Sequence, residues 1–73
     1  MANAQQIKPH MEVVGNDGEH VGIVDCVEGP ELKLDPADSK DGLHHFIALG
    51  HVEYVDDRVH LNRTSTRAMA EWR

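Results

Sequence analysis

The chain has little of what most often betrays a specialised chemistry: one cysteine, one tryptophan, one tyrosine, one phenylalanine, and no apolar run long enough to span a bilayer. A lone thiol, Cys26, can close neither an internal disulfide nor a cysteine-based zinc site, and a reducing cytoplasm is its expected compartment. Phe46, Tyr54 and Trp72 are too few and too scattered for a base-stacking platform. Cationic side chains are also scarce: seven Lys and Arg against thirteen Asp and Glu leave a net charge of -6, which repels phosphate backbones and argues against nucleic acid as a partner. Arg58, Arg63, Arg67 and Arg73 are grouped near the C-terminus and are expected to form a solvated face. The opening MANAQQIKPH lacks both a basic start and an apolar run, so neither a secretion signal nor membrane insertion is expected.

Motifs of catalysis are missing as well. The chain contains no phosphate loop, no cysteine cluster and no recognisable nucleophile and base. Six histidines, His10, His20, His44, His45, His51 and His60, are the obvious candidate chemistry. Zinc would need three or four of them to converge on one point, yet adjacent His44 and His45 point to opposite faces of a strand, and no pair has strand or helix ligand spacing. Asp35, Asp38 and Asp41 do not make a calcium loop, because Ala37, Ser39, Lys40 and Phe46 stand where ligands, glycine and the bidentate glutamate are required. Cys26 lies among valines and reads as a small buried hydrophobe; Asp56-Asp57 reads as turn chemistry. No catalytic residue, metal ligand, cofactor or small-molecule substrate is expected.

What is present is a pattern of short strands and turns. Residues 1–6 are small and polar and are expected to be a disordered tail, with a single domain over 7–73. Met11 to Val14 opens the first strand, and Gly15-Asn16-Asp17-Gly18 supplies the turn. In His20 to Glu28, Val21, Val24 and Val27 recur every third residue, where a flat strand would bury every second, so a bulge is placed at Gly22. Glu31 to Leu34 is a third strand with Leu32 and Leu34 inward, followed by the polar connection Asp35 to Gly42, expected to be the most mobile interior loop. Leu43 to Leu49 reads as a fourth strand with His45, Ile47 and Leu49 on one face and His44, Phe46 and Ala48 on the other. After Gly50, Val52 and Val55 are again three apart, which suggests a helical turn or bend entering a fifth strand, and Val59 with Leu61 marks a sixth. Thr64-Ser65-Thr66 offers hydroxyl caps to a helix over Arg67 to Trp72. The expected core is Val21, Val24, Ile47, Leu49, Val52, Val55, Val59 and Leu61.

The segment GEHVGIVD from Gly18 to Asp25, with FIALGHVEYV from Phe46 to Val55 and Val59-His60-Leu61, resembles the PRC-barrel, a small β-barrel of the photosynthetic reaction-centre H subunit and of a ribosome maturation factor. The whole span from Ile7 to Trp72, with KPHMEVVG, DGEHVG and VHLN and a terminal tryptophan, resembles a family of short bacterial proteins of unknown function. The resemblance implies an interaction and assembly module and carries over no catalytic residue.

The expected fold is therefore mostly β: a small, bent antiparallel barrel of about six short strands with a short C-terminal helix. The expected function is non-catalytic protein interaction, by homodimerisation or docking to a larger assembly. Alternatives are a histidine-mediated metal- or pH-responsive protein and a ribosome- or RNA-associated factor. The expected interaction surface is His44, Phe46, Tyr54, Met69 and Trp72, because an apolar strip opposite Ile47 needs a cover and Trp72 with Met69 is the nearest.

Overall fold

The structure is a computed structural model that describes residues 4–39 and 41–73. The described residues form six strands and one helix: β1 (Glu12–Val14), β2 (His20–Glu28), β3 (Glu31–Leu34), β4 (Phe46–Ala48), β5 (Val52–Val55), β6 (Val59–Leu61) and α1 (Ser65–Glu71). Short 3-10 turns occupy Ala4–Gln6, Pro36–Asp38 and Leu49–His51. The tail expected over 1–6 lies partly outside the described residues, and its last three form the first of these turns.

The strands form one sheet in the order β4-β3-β2-β1-β6-β5. Expected as antiparallel throughout, the sheet is mixed, because β1 runs parallel to β6 with Val13 opposite Val59 and Val14 opposite His60. The expected closure into a barrel is also absent from the pairing, since β4 and β5 stand at the two ends of the sheet. Those ends are nevertheless joined by the three-residue turn Leu49–His51. At about 2 Å of rise per residue, so short a link forces the two edges close together, and the sheet must curl around its core. The long strand β2 makes this curl: its first half pairs with β1 and its second with β3.

Three bulges explain the three-residue valine spacing. Between β1 and β2 the register steps from Val13 opposite Gly22 to Val14 opposite His20, leaving Val21 as the extra residue, beside the glycine where a bulge was expected. A second step, from Val24 opposite Leu34 to Cys26 opposite Lys33, leaves Asp25 extra and returns Val27 to the inner side. A third, between Val52 and Tyr54, leaves Glu53 extra and keeps Val52 and Val55 in phase. The helical turn or bend anticipated there is the 3-10 turn Leu49–His51, but the spacing of those two valines comes from the bulge inside β5.

The core is one cluster of Ile7, Val13, Val21, Val24, Leu32, Leu34, Ile47, Val52, Val59, Leu61 and Ala68. Leu49 and Val55, expected inside, are half-buried at its margin. Strand β4 is shorter than the expected Leu43 to Leu49. His45 adds one more ladder bond, its carbonyl accepting from the Leu34 N–H at 2.8 Å, but Leu43 is turned out, its N–H taken by Asp41 Oδ1. The helix begins at Ser65, two residues earlier than expected, with Thr64 as N-cap: its hydroxyl accepts from the Arg67 N–H.

Two loops lock this helix start to the sheet. Asp17, in the β1–β2 turn, accepts from the Ser65 N–H and hydroxyl, while the Asn16 N–H donates to the Arg63 carbonyl at 2.9 Å. The approach is so close that a Cβ on Gly15 would lie 2.4 Å from the Ser65 nitrogen. Glycine is therefore required there by space, whereas Gly18 serves by its positive φ of 80°.

Candidate functional site

Two of the five residues expected to form the interaction surface converge. Met69, on α1, and Trp72, the residue that ends it, line a cleft of about 220 Å³ together with His20, Val21, Asp38, Ser39 and Asp41. A smaller recess adjoins it, sharing Val21, Asp38, Ser39 and Trp72 and reaching Leu34 and His45. The other three lie elsewhere. His44 is exposed, its Nδ1 3.1 Å from the Leu34 carbonyl. Phe46 is half-buried on β4, and Tyr54 is on β5 at the opposite end of the sheet, 47% exposed and stacked on His60 with ring centroids 4.1 Å apart.

The pairing of Trp72 with the Phe46 face is a correction. Phe46 is covered by Arg73, whose guanidinium carbon lies 4.7 Å from the ring centroid and whose backbone exchanges two 3.1 Å hydrogen bonds with Phe46. Glu31 holds that guanidinium by a charge-assisted pair, with Nε 3.0 Å from Oε2. Trp72 instead stacks on His45, centroids 4.0 Å apart and planes within 12°. The helix ends one residue before Trp72, so its side chain returns over the His45 and Ile47 side of the sheet while the next residue is left to pair with β4.

The polar part of the cleft was read in the sequence only as a solvated acidic loop. Local chemistry orders it: Asp35 caps the Pro36–Asp38 turn by accepting from the Ala37 N–H at 2.9 Å, with proline at the first helical position. Asp35-Pro36 was the available signal. The turn presents Asp38 to His20, which opens β2. The His20 ring stands between two carboxylates, Nδ1 2.8 Å from Glu12 Oε2 and Nε2 2.6 Å from Asp38 Oδ2. Its pKa is raised, chiefly by the bond to Glu12 and then by that to Asp38. Arg58 Nε stands 3.7 Å from the other oxygen of Glu12.

Beyond the turn, Asp41 accepts from the Ser39 hydroxyl, the Leu43 N–H and His45 Nε2, the last at 2.9 Å. These donors, the Ser39 hydroxyl first, hold its carboxyl down at about 2. His45 Nδ1 faces the Arg73 carbonyl at 3.1 Å. Among the described residues no three His, Cys, Asp or Glu side chains are placed to hold a metal ion. The reason is geometric at His20, where Glu12 and Asp38 occupy opposite nitrogens of one ring and cannot converge on a common point. Cys26, half-buried on β2, has its Sγ 3.9 Å from Glu28 Oε1, away from the cleft lining.

Fold and site thus define a small mixed-sheet β domain with one short helix, whose end floors an apolar cleft rimmed by paired histidines and carboxylates. No helix among the described residues is long and apolar enough to cross a membrane. The chain belongs to a bacterial family described as "Uncharacterized protein conserved in bacteria (DUF2171)", whose model matches residues 7–69. No curated protein matches it.

Proposed function

We propose that the chain is a non-catalytic interaction module of the cytoplasm, related to PRC-barrel domains, and that it docks a protein partner at the Trp72 cleft. The carrying observation is the composition of that cleft: Val21, Met69 and Trp72 offer apolar surface, while Asp38 and Asp41 stand at its edge. At about 220 Å³ it is smaller than the roughly 300–1,000 Å³ of pockets that enclose small ligands, and suits one or two side chains of a partner. Charge complementarity selects the partner's chemistry. A chain of net charge -6 with acids at the cleft edge favours an aliphatic side chain flanked by lysine or arginine.

The test uses the tripeptide amides acetyl-Lys-Leu-Lys and acetyl-Glu-Leu-Glu against the labelled protein. The basic peptide is expected to shift the Trp72 indole and Met69 methyl resonances, and the acidic one to leave them in place. Met69→Asp, with its fold checked by circular dichroism, should abolish the shifts. Equal response to both peptides, or to neither, overturns the proposal; sedimentation then shows whether a second copy of the chain is the occupant.

A further inference from the structure

We propose that the wall of this cleft is held by an imidazolium clip at His20, so that docking there is controlled by protonation. The inference rests on the docking role proposed above and adds its regulation.

The argument is stereochemical. Carboxylate and carbonyl oxygens only accept hydrogen bonds, and an imidazole ring carries two N–H donors only as the cation. His20 faces an acceptor at each nitrogen, Glu12 at 2.8 Å and Asp38 at 2.6 Å. The two bonds can exist together only while the ring is protonated. A neutral ring keeps one bond and turns a lone pair toward the other oxygen.

His20 ties the Pro36–Asp38 turn to the sheet through Glu12 on β1 and Asp38. Asp38 lines the cleft beside Asp41 and Trp72, and Trp72 is itself stacked on His45. The other charges in reach are Arg58, which shares Glu12, and the Arg73 guanidinium, which is turned to Glu31. Among the described residues, the ion pair of Asp38 is with His20. Loss of the His20 proton therefore leaves one of its two carboxylates without that bond, and the cleft is preformed on the acidic side of the titration. Partner affinity should fall as pH rises through it.

The test follows the ring nitrogens of His20 by NMR from about pH 5 to about pH 9, in the full chain without a partner. The ring should be doubly protonated at the acidic end. The amide signals of Asp38 and Ser39 should move with it, and the hydrogen-exchange protection of Ser39, whose N–H donates to the Pro36 carbonyl, should fall by about threefold to tenfold beyond intrinsic pH effects. His20→Gln, which cannot donate to two carboxylates, should remove the component tracking His20, whereas His20→Lys, cationic throughout, should hold Ser39 at its low-pH position. Loop amides indifferent to the ring titration, or a Gln variant that titrates like the wild type, overturn the clip. The basic tripeptide separates the two proposals: equal binding at both ends of the range overturns proton control and leaves docking intact. Absence of binding at both ends overturns docking, while the ring titration still decides the clip.

Discussion

Truncating Leu32 to alanine should be among the most damaging single changes in this chain. Leu32 lies within β3, opposite Val27 on β2 and Ile47 on β4, and is 0% exposed. With a ladder on each side, the surrounding backbone cannot collapse into the space left by the missing carbons. The loss should therefore fall in the upper part of the range for buried Leu→Ala changes, about 3–5 kcal/mol. A domain of this size has about 4–11 kcal/mol in total, so roughly half of its stability is at stake. The comparison is Leu49→Ala. The sequence pattern places Leu49 in the core, but the structure puts it in the 3-10 turn, half-buried at the margin, where truncation opens to solvent and should cost about 1–2 kcal/mol. Urea unfolding followed by Trp72 fluorescence and by circular dichroism measures both, with an unchanged m value required for the comparison. Thermal midpoints should separate in the same order, by about 4–8 °C per kcal/mol. A Leu49 variant as damaged as the Leu32 variant would refute the placement of the core.

Gly15→Ala should lower the thermal midpoint, by the equivalent of about 1–3 kcal/mol, because the new methyl would meet the Ser65 nitrogen at 2.4 Å and the Asp17 carboxylate at 2.6 Å; a neutral result in a melt contradicts the contact between the β1–β2 turn and α1. His10 has a φ of 72°, a conformation costing an L-residue about 1–2 kcal/mol, so His10→Gly should be neutral or stabilising and His10→Val destabilising in the same melts. The pH dependence has two limbs. His20 has a raised folded pKa, so its contribution is fully present below its ordinary 6.5 and is lost as pH rises through the folded value; His20→Gln should flatten that limb of a midpoint-against-pH profile. Asp41, ordinarily 3.8 and held at about 2, contributes above 3.8 and loses its contribution as pH falls toward 2, a limb that Asp41→Asn should remove.

Much of the architecture was legible because strands and turns are written locally. Alternation in Glu31 to Leu34 marked β3 with its inward leucines, the glycine-rich turn marked the β1–β2 hairpin, and the threonine before the helix marked its cap. The valine triplet showed that β2 is not flat, yet the spacing alone could not show whether one bulge or two restores the phase. Register steps are counted against a partner strand, and the partner is not in the segment. Site residues were less legible still. Met69 and Trp72 were singled out as the cover of an apolar strip on the Phe46 face, and they line the cleft instead. Tyr54 was grouped with Phe46 on the segment from Leu43 to Tyr54, whereas the two fall on β5 and β4, strands that do not pair.

By itself, then, the sequence determined most of the strand segments, the turns and the capped helix, because each depends on residues within a few positions of one another. Tertiary structure alone decided the parallel pairing of β1 with β6, the open order of the sheet and the meeting of His20 with Glu12 and Asp38. It also decided that Arg73, and not Trp72, covers Phe46. Each of these joins groups far apart along the chain, and only the shared burial of one core brings them within reach.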